Sequence, residues 1–354
     1  MRIGCLQFAP QLGDVDNNLN RADAVLSKGK TEGLDILILP ELAFSVSNYG
    51  IGHNFKSLND IEPFLEFSGS GITSLWARTV ALKYDCTVVV GYPEKVQNAS
   101  ALDTPTSLQK NYNSALVING EGETVANYRK RFLASIDERW ARNGQDNFLS
   151  RLIPKLGMVL MGVSSDMELI VPSAPQHTFE FATCVLRAQP NLLIVLLAEM
   201  TKDEPRHFSR TPNKPDMETL EHWVIRLEAV IRSENQSEII VVFCNRTGYE
   251  GDATYAGTSA VLGIHGGEVK VYGLLGRSEK DLLVVDTDNP APMKLVYDPR
   301  NSQGGSVRAD QSADVGSDAE SSKSGSLRLA MHSAETTSRN PTPSGQQDVG
   351  KESE

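Results

Sequence analysis

The residues of this sequence with the means to do chemistry are a carboxylate, an ammonium and a pair of hydroxyls, each following an apolar run. The stretch MGVSSDMEL, Met161 to Leu169, has the strand-to-turn form of a nucleophile site and holds no thiol. Its apolar lead-in, Met158 to Val163, reads as a buried strand that breaks at Ser164 and Ser165, at the strand end where α/β folds place their chemistry. In ILILPELAF a second apolar run stops at Pro40 and delivers Glu41. In YRKRFL, Lys130 follows a third, among aromatic and apolar residues that favour partial burial. A carboxylate can serve as general base, and an ammonium can hold negative charge that develops in a transition state. Each also has a plainer reading: Ser164-Ser165-Asp166 as a helix cap, Glu41 as a solvated loop residue, Lys130 as a surface charge.

An alternating scaffold has to carry these positions. Arg2 to Phe8 reads as a first strand, Asn17 to about Lys30 as a helix with Leu19, Ala22, Val25 and Leu26 on one face, and Asp35 to Leu39 as a fully buried strand. Ile72 to Tyr84 reads as a helix and Thr87 to Gly91 as a strand of β-branched residues. Asn111 to Ile118 and Thr124 to Tyr128 form a hairpin, since Asn119-Gly120 supplies the positive φ of a tight turn. Phe179 to Arg187 then reads as helix, Leu192 to Leu197 as buried strand, Glu218 to Arg232 as one amphipathic helix, and Ile239 to Cys244 as strand. A polar, Gly-rich loop follows, NRTGYEGDATYAG, and strands around Ser259 to Leu262, Val269 to Tyr272 and Leu282 to Val285 close the domain. The fold class is α/β, with one domain over residues 1–298.

From 299 to 354 the composition turns to Ser, Gly, Gln, Asp and Glu without one aromatic residue. Such a segment cannot offset its ordering entropy by burial and reads as a disordered tail, in which the apolar patch Leu327 to His332 is incidental rather than a binding element. A net charge of −11 argues against nucleic acid and anionic membrane as partners. No apolar run approaches the roughly 20 residues that span a bilayer, and the first residues enter a strand pattern at once, so a cytoplasmic protein is expected, with the nucleus also open. Cys5, Cys86, Cys184 and Cys244 are far apart in apolar segments with no metal-ligand spacing; they read as small buried hydrophobes in a reducing compartment, and no metal is expected.

Glu41, Lys130 and position 164 occur in the order Glu, Lys, Cys of the nitrilase superfamily of carbon-nitrogen hydrolases, which this chain resembles over Met1 to Asp288. LPELAF and YRKRFL carry the first two, DERW looks like the family's supporting glutamate as Glu138, and GVSSD aligns with GxCxD. HWVIRLEAVIR and IIVVFCNRTGYEGDATYAGTSAVLGI look most like a fungal branch that deamidates N-terminal Asn and Gln on proteins. The resemblance implies a four-layer αββα sandwich, no cofactor, Glu41 as base, Lys130 and the Ser165 main-chain N–H as oxyanion partners, and Glu138 as the group that orients Lys130. It implies as partners peptides or proteins beginning with Asn or Gln, deamidated with release of ammonia in an N-degron pathway; whether the chain is a monomer or a homo-oligomer stays open. For the α-ammonium of such a substrate the candidates are Asp166, Glu250 and Asp252.

The chain departs from that pattern where it matters most. Ser164 stands in the place of the cysteine, and Leu197-Ala198-Glu199 where the branch tends to have Met-Ala-Trp. A thiol and a carboxylate differ by about 4 pKa units, roughly 6 kcal/mol, which a site can offset by burial and a neighbouring ammonium. An alkanol that ionises much like water widens the gap to about 11 units, on the order of 15 kcal/mol. An engineered variant, a natural relative that kept binding and lost catalysis, and a serine enzyme with another base all remain open, as does an amidase for small amides. The geometry expected is Glu41, Lys130 and Ser164 in one pocket, with Glu138 within hydrogen-bonding reach of Lys130.

Overall fold

The structure, a computed structural model, describes residues 1–45, 57–96, 110–144, 147–168, 180–250, 253–298 and 326–331. Its first strands are β1 (Arg2–Gln7), β2 (Ile36–Ile38), β3 (Glu66–Phe67), β4 (Thr87–Lys95), β5 (Asn111–Ile118) and β6 (Thr124–Arg129). Then come β7 (Ser150–Ile153), β8 (Gly157–Val163), β9 (Leu192–Leu197), β10 (Ile239–Asn245), β11 (Thr247–Glu250) and β12 (Ala253–Ala256). The last are β13 (Ala260–His265), β14 (Glu268–Leu274), β15 (Asp281–Asp286), β16 (Met293–Asp298) and β17 (Ser326–Met331).

One sheet runs β15-β1-β2-β4-β5-β6, with β3 beside β4, and the other runs β17-β16-β14-β13-β10-β9-β8-β7. Each has a parallel centre, β1-β2-β4 in one and β8-β9-β10 in the other. Strands covered on both faces need apolar residues at every position, which is why ILI of β2 and LLIVLL of β9 are buried throughout. Within the first sheet the alternation sorts the two faces. Ile3, Cys5, Ile36, Ile38 and Val89 pack against Val159, Met161 and Ile194 of the second sheet, while Leu37, Leu39, Val88 and Val90 pack against Ala22, Leu26, Trp76 and Ala77 of the helices Val15–Leu26 and Ile72–Tyr84. The sheets touch closely enough for the Cys244 thiol to lie 3.3 Å from the Ile38 carbonyl. Phe181 and Val185 of helix Glu180–Ala188 and Leu220 and Trp223 of helix Met217–Ile225 cover the far side of the second sheet. The order of layers is αββα.

Some elements differ from the sequence reading. The helix expected from Glu218 to Arg232 breaks into Met217–Ile225 and Glu228–Ile231, because Leu227 leaves the helical region and the Arg226 guanidinium takes the His222 carbonyl at 2.7 Å, an acceptor the next helical turn would have used. The polar loop after β10 is a hairpin, β11 with β12. The tail is not structureless throughout: β17 pairs antiparallel with β16 from Met293↔Met331 to Asp298↔Ser326, and Leu329 packs on the core. Composition undercounts such a segment, since main-chain pairing at a sheet edge needs few large side chains. The rest of the expected tail, 299–325 and 332–354, lies outside the described residues. No helix among the described residues is long and apolar enough to cross a membrane.

Candidate active site

Three chain turns meet at the ends of the two parallel centres. Past β2, Pro40 and Glu41 pass so close to β4 that a Cβ at Gly91 would lie 2.8 Å from both the Glu41 Cα and the Pro40 carbonyl oxygen, so only glycine fits beside that turn. Past β6, the Lys130 N–H continues the ladder to the Asn113 carbonyl at 2.8 Å. Past β8, Ser164 takes φ 37°, a left-handed conformation that costs a non-glycine residue roughly 1–3 kcal/mol and turns its side chain off the strand into the cavity.

These turns place their side chains in direct contact. The Ser164 hydroxyl donates to Glu41 Oε2 at 2.5 Å, and Lys130 Nζ donates to Glu41 Oε1 at 2.8 Å. Asn113 Nδ2 donates to the same Oε1 at 2.7 Å, and the Ala198 N–H reaches the Ser164 Oγ at 3.3 Å. Glu41 and Lys130 are each 2 % exposed. Burial alone would lower the Lys130 pKa, but Glu41 and Asp137 outweigh it and raise the pKa above its ordinary value, so the side chain is an ammonium. Together with Asp137, Glu199, Ser165 and Tyr255, the three residues line a cavity of about 350 Å³. A larger groove of about 710 Å³, bounded by Phe8, Arg21 and Lys28, holds none of them and no comparable convergence of groups. Among the described residues no cluster of His, Cys, Asp and Glu is arranged to hold a metal.

Sequence expectations fare unevenly here. Glu41, Lys130 and Ser164 come together, and Ser165 lines the same cavity with its hydroxyl on the Phe132 carbonyl at 2.6 Å. Glu138 does not reach Lys130. The partner is its neighbour Asp137, whose Oδ2 accepts from Nζ at 2.7 Å, because the 3-10 turn Asp137–Arg139 rotates each side chain by about 120° from the last, sending Asp137 inward and leaving Glu138 exposed. Asp166 does not line the cavity. Fully buried, it accepts from the Tyr128 hydroxyl and from the N–H groups of Val163, Arg131 and Phe132, all within 3.0 Å, and so staples the Ser164 turn to the segment after Lys130. Burial outweighs those donors and pushes its carboxyl up to about 6. Glu250 is held by Arg246 at 3.4 Å and by the Tyr255 hydroxyl at 2.5 Å, behind the tyrosine rather than in the cavity. Asp252 lies outside the described residues.

Two contributors escaped the sequence reading. Asn113 had a signal, since Asn111 and Asn113 put two amides at alternate positions of a strand that runs on into Ala115 to Ile118; Asp137 had none, because nothing in DERW separates it from Glu138. Chemically, the arrangement puts a carboxylate within proton-transfer distance of whatever group stands at 164, and an ammonium beside it for negative charge.

Known proteins share the fold that carries this site. The protein N-terminal amidase of Schizosaccharomyces pombe is 29 % identical over 300 residues, covering 80 % of this chain and 98 % of that one. Crystal structures of N-terminal amidase with an Asn-Glu-Ala peptide and with a Gln-Gly peptide superpose with TM-scores of 0.65 and 0.66 at 18 % identity, over 80 % of this chain and 96 % of each of theirs; at that identity they speak for the fold alone. The carbon-nitrogen hydrolase family model matches residues 2–291, from β1 to the approach to β16, and with the turns of Glu41, Lys130 and Ser164 inside that span the chain belongs to the carbon-nitrogen hydrolases.

Proposed function

We propose that this site receives peptides and proteins that begin with Asn or Gln and is built to hydrolyse their side-chain amide to the acid with release of ammonia, with Ser164 in the nucleophile's place holding back turnover. The observation that carries the reading is the shared carboxylate: Glu41 takes the Ser164 hydroxyl on one oxygen and the Lys130 ammonium on the other. The substrate class is supported by the N-terminal amidase relative and by the Asn- and Gln-initiated peptides bound to the structural neighbours. An N-degron role in the cytoplasm goes with that substrate.

With a thiol at 164, Glu41 takes its proton as sulfur attacks the carboxamide carbon, and the oxyanion is met by Lys130 Nζ and the Ser165 N–H. Glu41 returns the proton to the leaving nitrogen, ammonia departs and a thioester remains. Water then attacks the thioester with Glu41 again as base, giving the carboxylic acid and the free thiol. Between an ordinary alkanol and an ordinary carboxylate such a proton transfer is uphill by on the order of 15 kcal/mol, and no histidine lines the cavity, among the described residues, to act as a matched base.

Steady-state ammonia release from Asn- and Gln-initiated peptides tests the reading, alongside calorimetric binding of the same peptides. The protein as written should bind them and release little ammonia, whereas Ser164→Cys should turn over and Ser164→Cys/Lys130→Ala should not. Robust turnover by the serine form would overthrow the assignment of the nucleophile. An inactive Ser164→Cys that still binds peptide would favour the other reading, which Ser164 itself supports: a hydrolase fold retained for binding.

A further inference from the structure

Glu199 lines the reaction cavity, and among the described residues no side chain donates a hydrogen bond to its carboxylate. The neighbouring acids are committed. Glu41 holds Ser164, Lys130 and Asn113, Asp137 holds Lys130, Asp166 is closed off by its donors, and Glu250 is occupied by Arg246 and Tyr255. Lys130, the buried cation, is divided between two carboxylates and has no charge to spare for a third. The other cation of the cavity, Arg139, is exposed, and the charged groups that act most strongly on Glu199 are others. Those are Glu41 and Glu168, which repel its charge, and His222 and Lys130, which favour it; His222 is itself held by Glu168 at 3.2 Å. Burial first, and Glu41 second, raise the Glu199 pKa above its ordinary value. Among the described residues no cation is in ion-pair contact with this carboxylate.

Resting on the substrate reading above, we infer that Glu199 is the receptor for the α-ammonium of the bound N-terminal residue, and so the group that restricts the site to amides at a chain's start. The spacing supports it. In an N-terminal Asn the α-nitrogen is three bonds from the reacting amide carbon, about 3–4 Å away, so its hydrogen-bond acceptor must lie within about 7 Å of that carbon, and within about 10 Å of an attacking atom in near-attack contact with it. Glu199 follows Ala198 directly, and the Ala198 N–H is 3.3 Å from the Ser164 Oγ. Its backbone is fixed from the other side, where the Glu199 N–H donates to Asn245 Oδ1 at 2.9 Å and its carbonyl accepts from Asn245 Nδ2 at 3.2 Å and from the Ala256 N–H at 2.9 Å. The residue therefore presents its side chain from a rigid frame at the end of β9, on the strand next to that of the nucleophile position. The charge is complementary too: an arriving ammonium gives Glu199 its counterion and relieves its repulsion with Glu41.

Calorimetry with the unaltered protein and with Glu199→Gln tests the inference, using Asn-Gly-Ala and its desamino analogue, in which hydrogen replaces the α-ammonium. The main-chain bonds that frame residue 199 survive the substitution, and thermal unfolding of the variant checks its fold. The unaltered protein should prefer the amino peptide, and Glu199→Gln should weaken that peptide by about 10- to 100-fold while leaving the desamino analogue unchanged, erasing the preference. A preference of undiminished size in a folded Glu199→Gln would overturn the receptor while leaving the substrate class intact. Equal binding of both peptides by the unaltered protein would likewise remove the receptor. Failure of the unaltered protein to bind either would instead bring down the substrate reading, and the receptor with it.

Discussion

Lys130 serves two masters, and the geometry says which of them the chain can least do without. Its ammonium is buried between Glu41 and Asp137, so removing one acid leaves a charged group in a dry place with half its compensation. Breaking a buried pair from one side typically costs about 3–5 kcal/mol. In the Ser164→Cys background, Asp137→Asn should therefore lower both the melting temperature and ammonia release, the latter by at least about 100-fold. Glu138→Gln, altering an exposed side chain one residue on, should change stability by no more than about 0.5 kcal/mol and leave release unaffected. Parallel melting curves and initial rates for the two variants decide the matter, and equal damage from both would mean that the turn presents its side chains differently. At this scale the sequence disclosed Glu41, Lys130 and Ser164 through their settings, yet it was mute on Asp137. One residue of rotation on a 3-10 turn separates a buried acid from a solvated one, and neighbours of the same charge carry no mark of which way they face.

Among the elements, the short turn Ser164–Met167 is held at both ends. Asp166 ties it to the segment after Lys130, and Glu168, just beyond, receives Arg226 Nε at 2.7 Å, a second Arg226 nitrogen, and His222 Nε2 at 3.2 Å, anchoring it to the C-terminal end of helix Met217–Ile225. Burial opposes the charge on Glu168, but His222 and Arg226 hold its carboxyl down at about 2, against an ordinary 4.5. A carboxylate lowered on folding contributes stability that is fully present above the ordinary value and is lost as pH falls toward the folded one. The melting temperature of Glu168→Gln should thus lie about 1–3 °C below that of the unaltered protein at pH 7, a modest gap because the group is 41 % exposed, and the gap should close between pH 4.5 and 2. A gap that stayed constant from pH 7 to 3 would remove the carboxylate's charge from the account. The parallel strands at the centre of each sheet were the most legible elements, since burial on both faces writes an unbroken apolar run. Least legible were β11 and β12, whose pairing depends on main-chain register and not on hydrophobic pattern, and the break at Arg226, made by a side chain reaching back to the helix's own carbonyl.

For the molecule as a whole, β17 converts part of an unpromising tail into the edge of the second sheet. Deleting residues 299–354 should lower the melting temperature by about 2–6 °C, through exposure of the β16 edge and of the core surface under Leu329, and a scanning-calorimetry shift below about 1 °C would mean that this strand does not stay docked in solution. The opposite end of the chain carries a different consequence. β1 has β2 on one side and β15 on the other, in register from Arg2↔Asp286 to Gln7↔Asp281, and the Met1 ammonium sits 3.0 Å from Asp288. Once made, β1 therefore lacks one of its two neighbours until residue 286 has followed, which at typical rates of synthesis takes tens of seconds. Throughout that interval Leu6 and Phe8 wait for the Leu282 that will share their cluster, and the pairing that completes the sheet of Glu41 and Lys130 joins residue 2 to residue 286. Loop-closure entropy makes such contacts slow to form, so the nascent protein passes through a long period with an apolar strand edge uncovered, when a chaperone's protection counts for more than the stability of the finished fold.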